Sequence, residues 1–169
     1  MPDQPDAPAD SHLDLDESPD GDYAAAINAR RDGWNLAMGL NLIRATADEV
    51  TAEIVIDHRH HQGYGIVHGG VYSGLIETVS SVGAAIWAWR NRQSVVGVEN
   101  NTSFLSAVRD GKILATARPL MRGRRTQVWE AKVTDGAGRL VAHGKVRLIA
   151  LEAGASLAGE KVKVKSGQE

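Results

Sequence analysis

The sequence has 169 residues and no cysteine, which fits one domain and excludes disulfide bonds, a cysteine nucleophile and thiolate metal sites. Its formal net charge is only −2, but the charge is unevenly distributed. Residues 1–22 hold 8 of the 21 acidic residues and no Lys or Arg, so 19 basic residues face 13 acidic ones in the remainder. The mildly basic remainder of the chain is compatible with binding of an anionic ligand, and it is equally compatible with an ordinary solvated surface.

Residues 1–22 are predicted to form a disordered acidic tail, because they carry almost no large apolar side chains. This acidic, Pro-rich stretch is unlike a secretory signal, and the longest apolar run is interrupted by Glu77 and by small residues. We therefore expect a cytoplasmic protein without a membrane span. Residues 23–34 predict a short helix that Gly33 ends.

The next stretch, "LAMGLNLIRATADEVTAEIVID" (residues 36–57), changes to the period-two alternation of strands. It predicts two strands that meet at residues 47–49. One face of the second strand would carry only apolar side chains, namely Val50, Ala52, Ile54 and Ile56.

A helix is predicted from about Gly69 to Asn91. Its apolar side chains cover much of the circumference, so the helix must be surrounded by protein. These side chains are Val71, Tyr72, Leu75, Ile76, Val79, Val82, Ile86 and Trp89.

Four strands are predicted after the helix, at residues 94–107, 111–121, 125–135 and 138–150. The turn-like connections between them favour an antiparallel meander. The predicted fold is α+β, with one long central helix wrapped by an antiparallel sheet of five or six strands. It would occupy residues 23–150 and be followed by a flexible tail, residues 151–169.

Two features of the helix point to chemistry. Gly69 and Gly70 lie at its start, where backbone N–H groups lack internal partners and could bind a carbonyl oxygen that gains charge. From the two glycines alone, tight packing of the helix start against a strand is the favoured explanation. Glu77 is a lone carboxylate on an apolar helix and must be either paired with an arginine or used as a base or nucleophile.

Gly69 and Glu77 cannot act on one carbonyl carbon from the same helix, because eight residues separate them by about 12 Å. If both act on one substrate, Glu77 must come from a second subunit whose helix runs antiparallel. A two-fold dimer supplies that arrangement.

The stretches "HQGYGIVHGGVYSGLIETVSS", "NNTSFLSAV" and "RGRRTQVWEAKVTDGAGRLVAHGKVRL" resemble hotdog-fold acyl-CoA thioesterases. The resemblance is to the PaaI-like branch and the related 4-hydroxybenzoyl-CoA thioesterases. It covers about residues 30–150. The shared pattern places an Asn or Gln six positions before the HGG histidine, His68, and an Asp or Glu nine positions after it. Here these residues are Gln62 and Glu77.

The resemblance implies roles for individual residues. The N–H of Gly69, with Gln62, would bind the thioester carbonyl, and Glu77 of the partner subunit would be the nucleophile or the base for water. Ser81 would help to hold the water, and His68 would position the loop. Some relatives carry a Ser near position 97, where this chain has glycine, so the detailed mechanism does not transfer.

The turn formed by Arg122, Gly123, Arg124 and Arg125 could grip the phosphates of CoA or could simply be a solubilising turn. With the resemblance we favour CoA binding, and we include Thr126 in that site. Three further residues, Trp87, Trp89 and Trp129, could line an acyl pocket but are more typical of a core or an interface.

The run "DHRHH" (residues 57–61) could suggest a metal site, but adjacent residues rarely point at one ion, and a polar loop explains it better. We therefore expect no metal and no cofactor. The sequence offers no support for nucleic-acid binding beyond the arginine turn.

The sequence leaves two candidate functions. The first is acyl-CoA thioesterase, which hydrolyses a CoA thioester to a free acid and CoA. The alternative is a non-hydrolytic hotdog protein that binds acyl-CoA or a related ligand. A hotdog dehydratase is disfavoured because no second acid in the required arrangement is found. The active unit is expected to be a homodimer, assembled into a homotetramer.

Overall fold

The protein is described here by a computed structural model of residues 21–152 and 154–161. Its helices and strands follow in chain order: α1 (Ala24–Asn28), α2 (Gly33–Ala37), β1 (Asn41–Ala45), β2 (Val50–Val55), a 3₁₀ helix (His58–His60), α3 (Gly69–Trp89), β3 (Ser94–Phe104), β4 (Lys112–Arg122), β5 (Thr126–Asp135), β6 (Leu140–Leu151), β7 (Ser156–Leu157) and β8 (Glu160–Lys161). The single long helix and the antiparallel sheet of six strands confirm the predicted fold class.

The strand order of the sheet is β1-β2-β4-β5-β6-β3. β4, β5 and β6 form a meander, but the predicted meander is wrong for β3, which pairs with β6 from Ser94↔Leu151 to Phe104↔Ala142. The turn residues before β4 reverse the chain direction but do not determine which strand β4 pairs with. Residues 105–111 therefore carry the chain past β6 and β5 before β4 begins. β3 therefore lies at one edge of the sheet, and one of its sides has no partner strand among the described residues.

The core lies between α3 and the sheet. The predicted apolar face of β2 is confirmed, because Val50, Ala52 and Ile54 are completely buried. Trp129 of β5 is also completely buried, and its ring occupies the space that a Cβ at Gly83 of α3 would need. The tryptophan therefore belongs to the core and not to a ligand pocket.

The predicted helix over residues 23–34 is wrong in its end point. Gly33 begins α2, with a φ of 53°, and its N–H donates to the carboxylate of Asp32 at 2.6 Å. Glycine in this conformation reverses the chain and lets a second short helix start. The side chain of Asn28 bonds both backbone groups of Leu42, at 2.8 and 3.0 Å, and this contact ties α1 to β1.

The two predicted tails fall largely outside the described residues. At the first boundary, the carboxylate of Asp22 accepts hydrogen bonds from the N–H groups of Ala24 (3.0 Å) and Ala45 (2.8 Å). At the second boundary, β7 and β8 form a short antiparallel hairpin. In the described part of the chain, none of the helices combines the length and the hydropathy that a membrane crossing requires.

Candidate active site

The start of α3 leaves one backbone donor open. His68 caps the helix, because its Nδ1 accepts a hydrogen bond from the N–H of Gly70 at 2.8 Å, and its own N–H donates to the carbonyl of His60 at 2.8 Å. No residue in the described ranges accepts a hydrogen bond from the N–H of Gly69. Of the two glycine N–H groups considered from the sequence, only that of Gly69 is available to a ligand.

Close packing explains why position 69 must be glycine. A Cβ built there would lie 2.6 Å from Cε2 of Phe104, at the end of β3, so any larger residue would displace the ring or the helix. Tight packing against a strand was the alternative explanation for the two glycines. Both explanations hold at Gly69. The absence of a side chain leaves space for the ring of Phe104, and the backbone N–H remains available to a ligand.

Gln62 lies in the loop that leads to α3. A bridge between His61 and Val67 closes this loop, and the N–H of Gln62 donates to the carbonyl of Ile66 at 2.9 Å. The side chain of Gln62 is half-buried and forms no hydrogen bond with the described residues. Gln62, His68 and Gly69 thus belong to one continuous loop and helix start.

Glu77 is held by two hydrogen-bond donors. The hydroxyl of Ser81 donates to its Oε1 at 3.2 Å, and Nδ2 of Asn100 donates to its Oε2 at 2.9 Å. The side chain is half-buried, and no Lys, Arg or His of the described chain forms a salt bridge with it. The structural alternative, a pairing with arginine, is therefore absent from this part of the chain.

A cavity of about 300 Å³ lies beside Glu77. One wall of the cavity is formed by α2. The ring of Trp34 packs against Gly74 of α3, where a Cβ would collide with the ring. The hydroxyl of Thr78 donates to Oδ1 of Asn35 at 3.2 Å and fixes the same wall. Trp34 and Asn35 were not predicted from the sequence, because Gly33 was interpreted as the end of a helix and not as the start of one.

The structure separates the predicted catalytic residues into two clusters. Gln62, His68 and Gly69 lie at the start of α3, whereas Glu77 and Ser81 lie in its middle. Since α3 is uninterrupted between them, about 12 Å of helix rise separates the donor of Gly69 from the level of Glu77. One chain therefore carries two incomplete parts of the expected site.

Gly97 of β3 provides the space that the carboxylate of Glu77 occupies. A methyl group at this position would collide with Oε1, which is the mobile end of a side chain, so Gly97→Ala should displace the carboxylate and not the backbone. If Glu77 acts on a thioester as the resemblance implies, kcat should fall by roughly 10-fold, because small misplacements of a reacting group are costly. The melting temperature should stay nearly unchanged.

A matched control for Gly97→Ala is Gly136→Ala. A Cβ at Gly136 would meet its nearest neighbour, the carbonyl oxygen of Lys112, at an ordinary 3.9 Å. Steady-state kinetics on both variants checks the prediction. Wild-type kcat in Gly97→Ala would show that the carboxylate adjusts without loss.

The three arginines at the turn between β4 and β5 differ in their contacts. Arg122 is engaged in the protein, because its Nη1 donates to Asp48 at 2.7 Å and its guanidinium lies 4.2 Å from the ring centre of Trp87. Arg124 and Arg125 are exposed, and their side chains have no hydrogen bond or ion pair with the described residues. These contacts favour a structural role for Arg122 and leave the other two available to a ligand.

The run of residues 57–61 folds as a capped 3₁₀ turn. His60 is completely buried, and its Nδ1 accepts a hydrogen bond from the N–H of Asp57 at 2.9 Å. The Arg59 side chain, which donates to the carboxylate of Asp57, holds the pKa of that carboxyl well below its usual range. Across residues 21–152 and 154–161, no group of three or more His, Asp or Glu side chains is placed to hold one metal ion.

Comparison with known proteins identifies the family. Residues 64–142 match the thioesterase superfamily. The Mycobacterium tuberculosis protein Rv1847, which carries an esterase name, is 42% identical over 120 residues, or 69% of this chain and 84% of that protein. The proofreading thioesterase EntH of Klebsiella pneumoniae is 38% identical over 117 residues, or 68% of this chain and 84% of EntH.

Solved structures agree with these sequence matches. The structure of Rv1847 superposes with a TM-score of 0.70 at 41% identity, over 71% of this chain and 97% of that one. The PaaI protein of the Escherichia coli phenylacetic acid degradation operon shares the fold alone, with a TM-score of 0.68 at 17% identity, over 76% of this chain and 91% of PaaI. The predicted resemblance is confirmed: the chain belongs to the thioesterase superfamily and has its hotdog fold.

Proposed function

We propose that the protein is an acyl-CoA thioesterase, which hydrolyses a CoA thioester to a free carboxylic acid and CoA. The observation that carries this proposal is Glu77, the only carboxylate on α3, held by two donors beside a cavity. The open N–H of Gly69 supplies the complementary part, a donor for the carbonyl oxygen as it gains negative charge. The names of the relatives, esterase and thioesterase, agree with this chemistry.

The proposed reaction breaks the bond between the acyl carbon and sulfur. Gly69 and Gln62 bind the carbonyl oxygen, and Glu77 either removes a proton from the attacking water or attacks the carbonyl carbon itself. The sulfur leaves and takes up a proton that derives from water, which gives the thiol of CoA. In the nucleophilic route a water molecule then hydrolyses the anhydride between the acyl group and Glu77, so both routes end in a free acid and a regenerated carboxylate. Ser81 holds one oxygen of Glu77, and His68 keeps the helix start in place.

A second copy of the chain completes this site in our proposal. The donor of Gly69 and the acid of Glu77 are too far apart on one straight helix to meet at one carbonyl. A two-fold axis that sets two α3 helices antiparallel brings the acid of one chain towards the glycine of the other. Each dimer then has two sites, and each site draws on both chains.

The free edge of β3 is the surface that suits this pairing. The strand is 11 residues long, and Val98 and Phe104 on it are about half exposed, at 47% and 56%. A long edge of this kind presents unpaired N–H and C=O groups with which a strand of another chain can pair. Gly97 lies beside Glu77, and Phe104 lies beside Gly69. Antiparallel pairing of β3 with its copy about an axis near Asn100 would place Gly97 opposite Phe104 of the partner subunit, and hence Glu77 near Gly69 of the partner subunit.

The proposal extends to assembly and location. A dimer is the smallest unit that completes the site, and pairs of dimers forming a homotetramer remain our expectation. We also place the protein in the cytoplasm together with its proposed substrate.

The function is tested by a hydrolysis panel of aromatic and aliphatic CoA thioesters, with the released thiol as the readout. Turnover of at least one member, lost in Glu77→Gln, is the expected result. Saturable binding of acyl-CoA with no thiol release from any member would favour the alternative, a non-hydrolytic binding protein. The panel also identifies the preferred acyl group, which we propose to lie in the cavity beside Glu77.

The arginine turn is predicted to bind the phosphates of CoA. Arg124→Ala and Arg125→Ala should each raise KM for acyl-CoA by roughly 10-fold or more, because a hydrogen bond to a charged group contributes about 1.5–3 kcal/mol. A short acyl thioester without the nucleotide should be affected much less. Thr126 follows the turn and belongs to the same proposal.

Steady-state kinetics on both substrates checks the arginine prediction. A suitable control is Lys132→Ala, which removes one exposed positive charge from β5. Equal losses on both substrates would mean that the turn acts on the structure and not on the nucleotide.

A further inference from the structure

The contacts of Glu77 point to a residue that no sequence feature marked. We infer that Asn100, oriented by Thr102, is a positioning residue that holds the Glu77 carboxylate in its reactive orientation. The inference rests on the proposed function, in which Glu77 carries the chemical step. It adds a chain of hydrogen bonds that runs from Thr102 of β3 through Asn100 to Glu77 and ends at Ser81.

The orientation of the Asn100 amide follows from its neighbours. Its Nδ2 donates to Oε2 of Glu77 at 2.9 Å and to the backbone carbonyl of Ser73 at 3.1 Å. A carbonyl and an ionised carboxylate are acceptors only, so both require the NH₂ end of the amide. The Oδ1 atom is then left to accept the hydroxyl proton of Thr102, at 2.7 Å. Every polar group of the amide therefore has a partner.

The backbone is shaped to admit this chain of hydrogen bonds. A Cβ at Gly97 would collide with Oε1 of Glu77, and a Cβ at Gly144 of β6 would lie 2.8 Å from Oγ1 of Thr102. Two glycines on neighbouring strands thus leave space for two members of this series of hydrogen bonds: Gly97 leaves space for Glu77, and Gly144 leaves space for Thr102. On β3, Gly97 leaves the space that the Glu77 carboxylate occupies, and Asn100 provides a hydrogen-bond donor to it.

The two hydrogen-bond donors to the Glu77 carboxylate lie on different elements, α3 and β3. Oε1 is bound from α3 by Ser81, and Oε2 is bound from β3 by Asn100, so rotation of the carboxylate would break at least one hydrogen bond. Asp32 is the other acid among the residues that line the cavity. A fixed orientation matters because a base or nucleophile must point at the carbonyl before reaction.

The contact of Asn100 with Ser73 could also serve only to join β3 to α3, and substitutions separate the two roles. Asn100→Ala should lower kcat by roughly 10- to 100-fold, the scale for losing a hydrogen bond to a charged group, and change KM less than 3-fold. Asn100→Asp keeps the shape but replaces the donor by a second acid. It should lose at least as much activity as Asn100→Ala, whereas a purely structural role predicts that it loses less.

Thr102 gives a matched pair of variants. Thr102→Ser keeps the hydroxyl and should retain kcat within about 2-fold, while Thr102→Val removes it at nearly constant volume and should lower kcat by roughly 3- to 10-fold. Asn91→Ala, which removes an exposed amide after the end of α3 and outside β3, is the control and should behave like the wild type. Equal kcat in Thr102→Ser and Thr102→Val would overturn the orienting role of Thr102.

A double-mutant cycle decides whether Asn100 acts through Glu77. On a Glu77→Gln background, Asn100→Ala should reduce the residual rate by less than 2-fold, because the group that it positions is already gone. The same 10- to 100-fold loss on both backgrounds would overturn the inference while leaving the proposed function intact. Wild-type turnover in Glu77→Gln would overturn the role of Glu77 and this inference with it, whereas the absence of thiol release from every CoA thioester of the panel would overturn the proposed function.

Discussion

Replacing Glu77 with Gln is expected to lower kcat by about 10²-fold or more, the usual scale for a positioned acid or base. The substitution keeps the length of the side chain, removes its charge and its capacity to accept a proton, and replaces one acceptor oxygen by an NH₂ donor. Ser81 can still donate to the amide oxygen, so we expect the melting temperature and the KM for acyl-CoA to change little. Thiol release from the best substrate of the hydrolysis panel measures the loss.

A carboxylate elsewhere on the chain provides the control for Glu77→Gln. Glu53 of β2 forms an ion pair with Lys112 at 2.7 Å, and Glu53→Gln removes the same charge without touching the cavity or β3. It should retain nearly full turnover. Glu77→Gln with wild-type kcat would show that the acid is not part of the chemical step, even if the protein hydrolyses thioesters.

Mixing two inactive variants is expected to restore activity, to about half of the wild-type value per heterodimer. One variant is Glu77→Gln, and the other is Gly69→Val, whose side chain would enter the space that Phe104 occupies and block the donor. If each site takes its glycine from one chain and its acid from the other, a mixed dimer has one site with both defects and one with neither. The intact site supplies the recovered turnover.

The structure offers a negative control for this mixing experiment. Asn100 contacts Glu77 within one chain, so the variants Asn100→Ala and Glu77→Gln damage the same contribution to the shared site. Mixing these two should give no more than the average of the parents. Subunit exchange must be verified, for example with differently tagged chains. Verified exchange without recovery for the first pair would place Gly69 and Glu77 in one site of one chain.

Regular periodicity explains why most elements were predictable from the sequence. The apolar circumference of α3 and the alternation of Val50, Ala52 and Ile54 each reflect a repeat that neighbouring residues determine. The position of β3 depends instead on pairing with β6, which follows it by more than 30 residues. No local pattern in β3 specifies that partner, so the meander prediction placed it incorrectly.

Local chemistry at Gly33 was ambiguous for a different reason. Glycine after a helical pattern commonly ends a helix, but Asp32 immediately before it is also a favoured N-cap. The structure uses the second signal, since Asp32 accepts the N–H of Gly33. The cavity wall that contains Trp34 was missed as a direct result.

The candidate site was predictable only where one segment carries it. Gly69, Glu77 and Ser81 lie on one helix at spacings that the sequence displays, and His68 directly precedes them. Asn100 belongs to "NNTSF", a stretch that contributed to the resemblance but gave no sign of its contact with Glu77. Only the packing of β3 against α3 reveals that contact.

The cavity wall and the proposed catalytic acid reside on elements of very different structural importance. Glu77 belongs to the helix that organises the core, whereas Trp34 is 39% exposed and belongs to α2, five residues long and without a buried side chain. Mutations in α2 can therefore resize the wall at little cost to folding, while changes on α3 disturb both packing and chemistry. If this cavity holds the acyl group of the proposed substrate, acyl preference can diverge through substitutions in one small helix while the proposed catalytic residues stay the same.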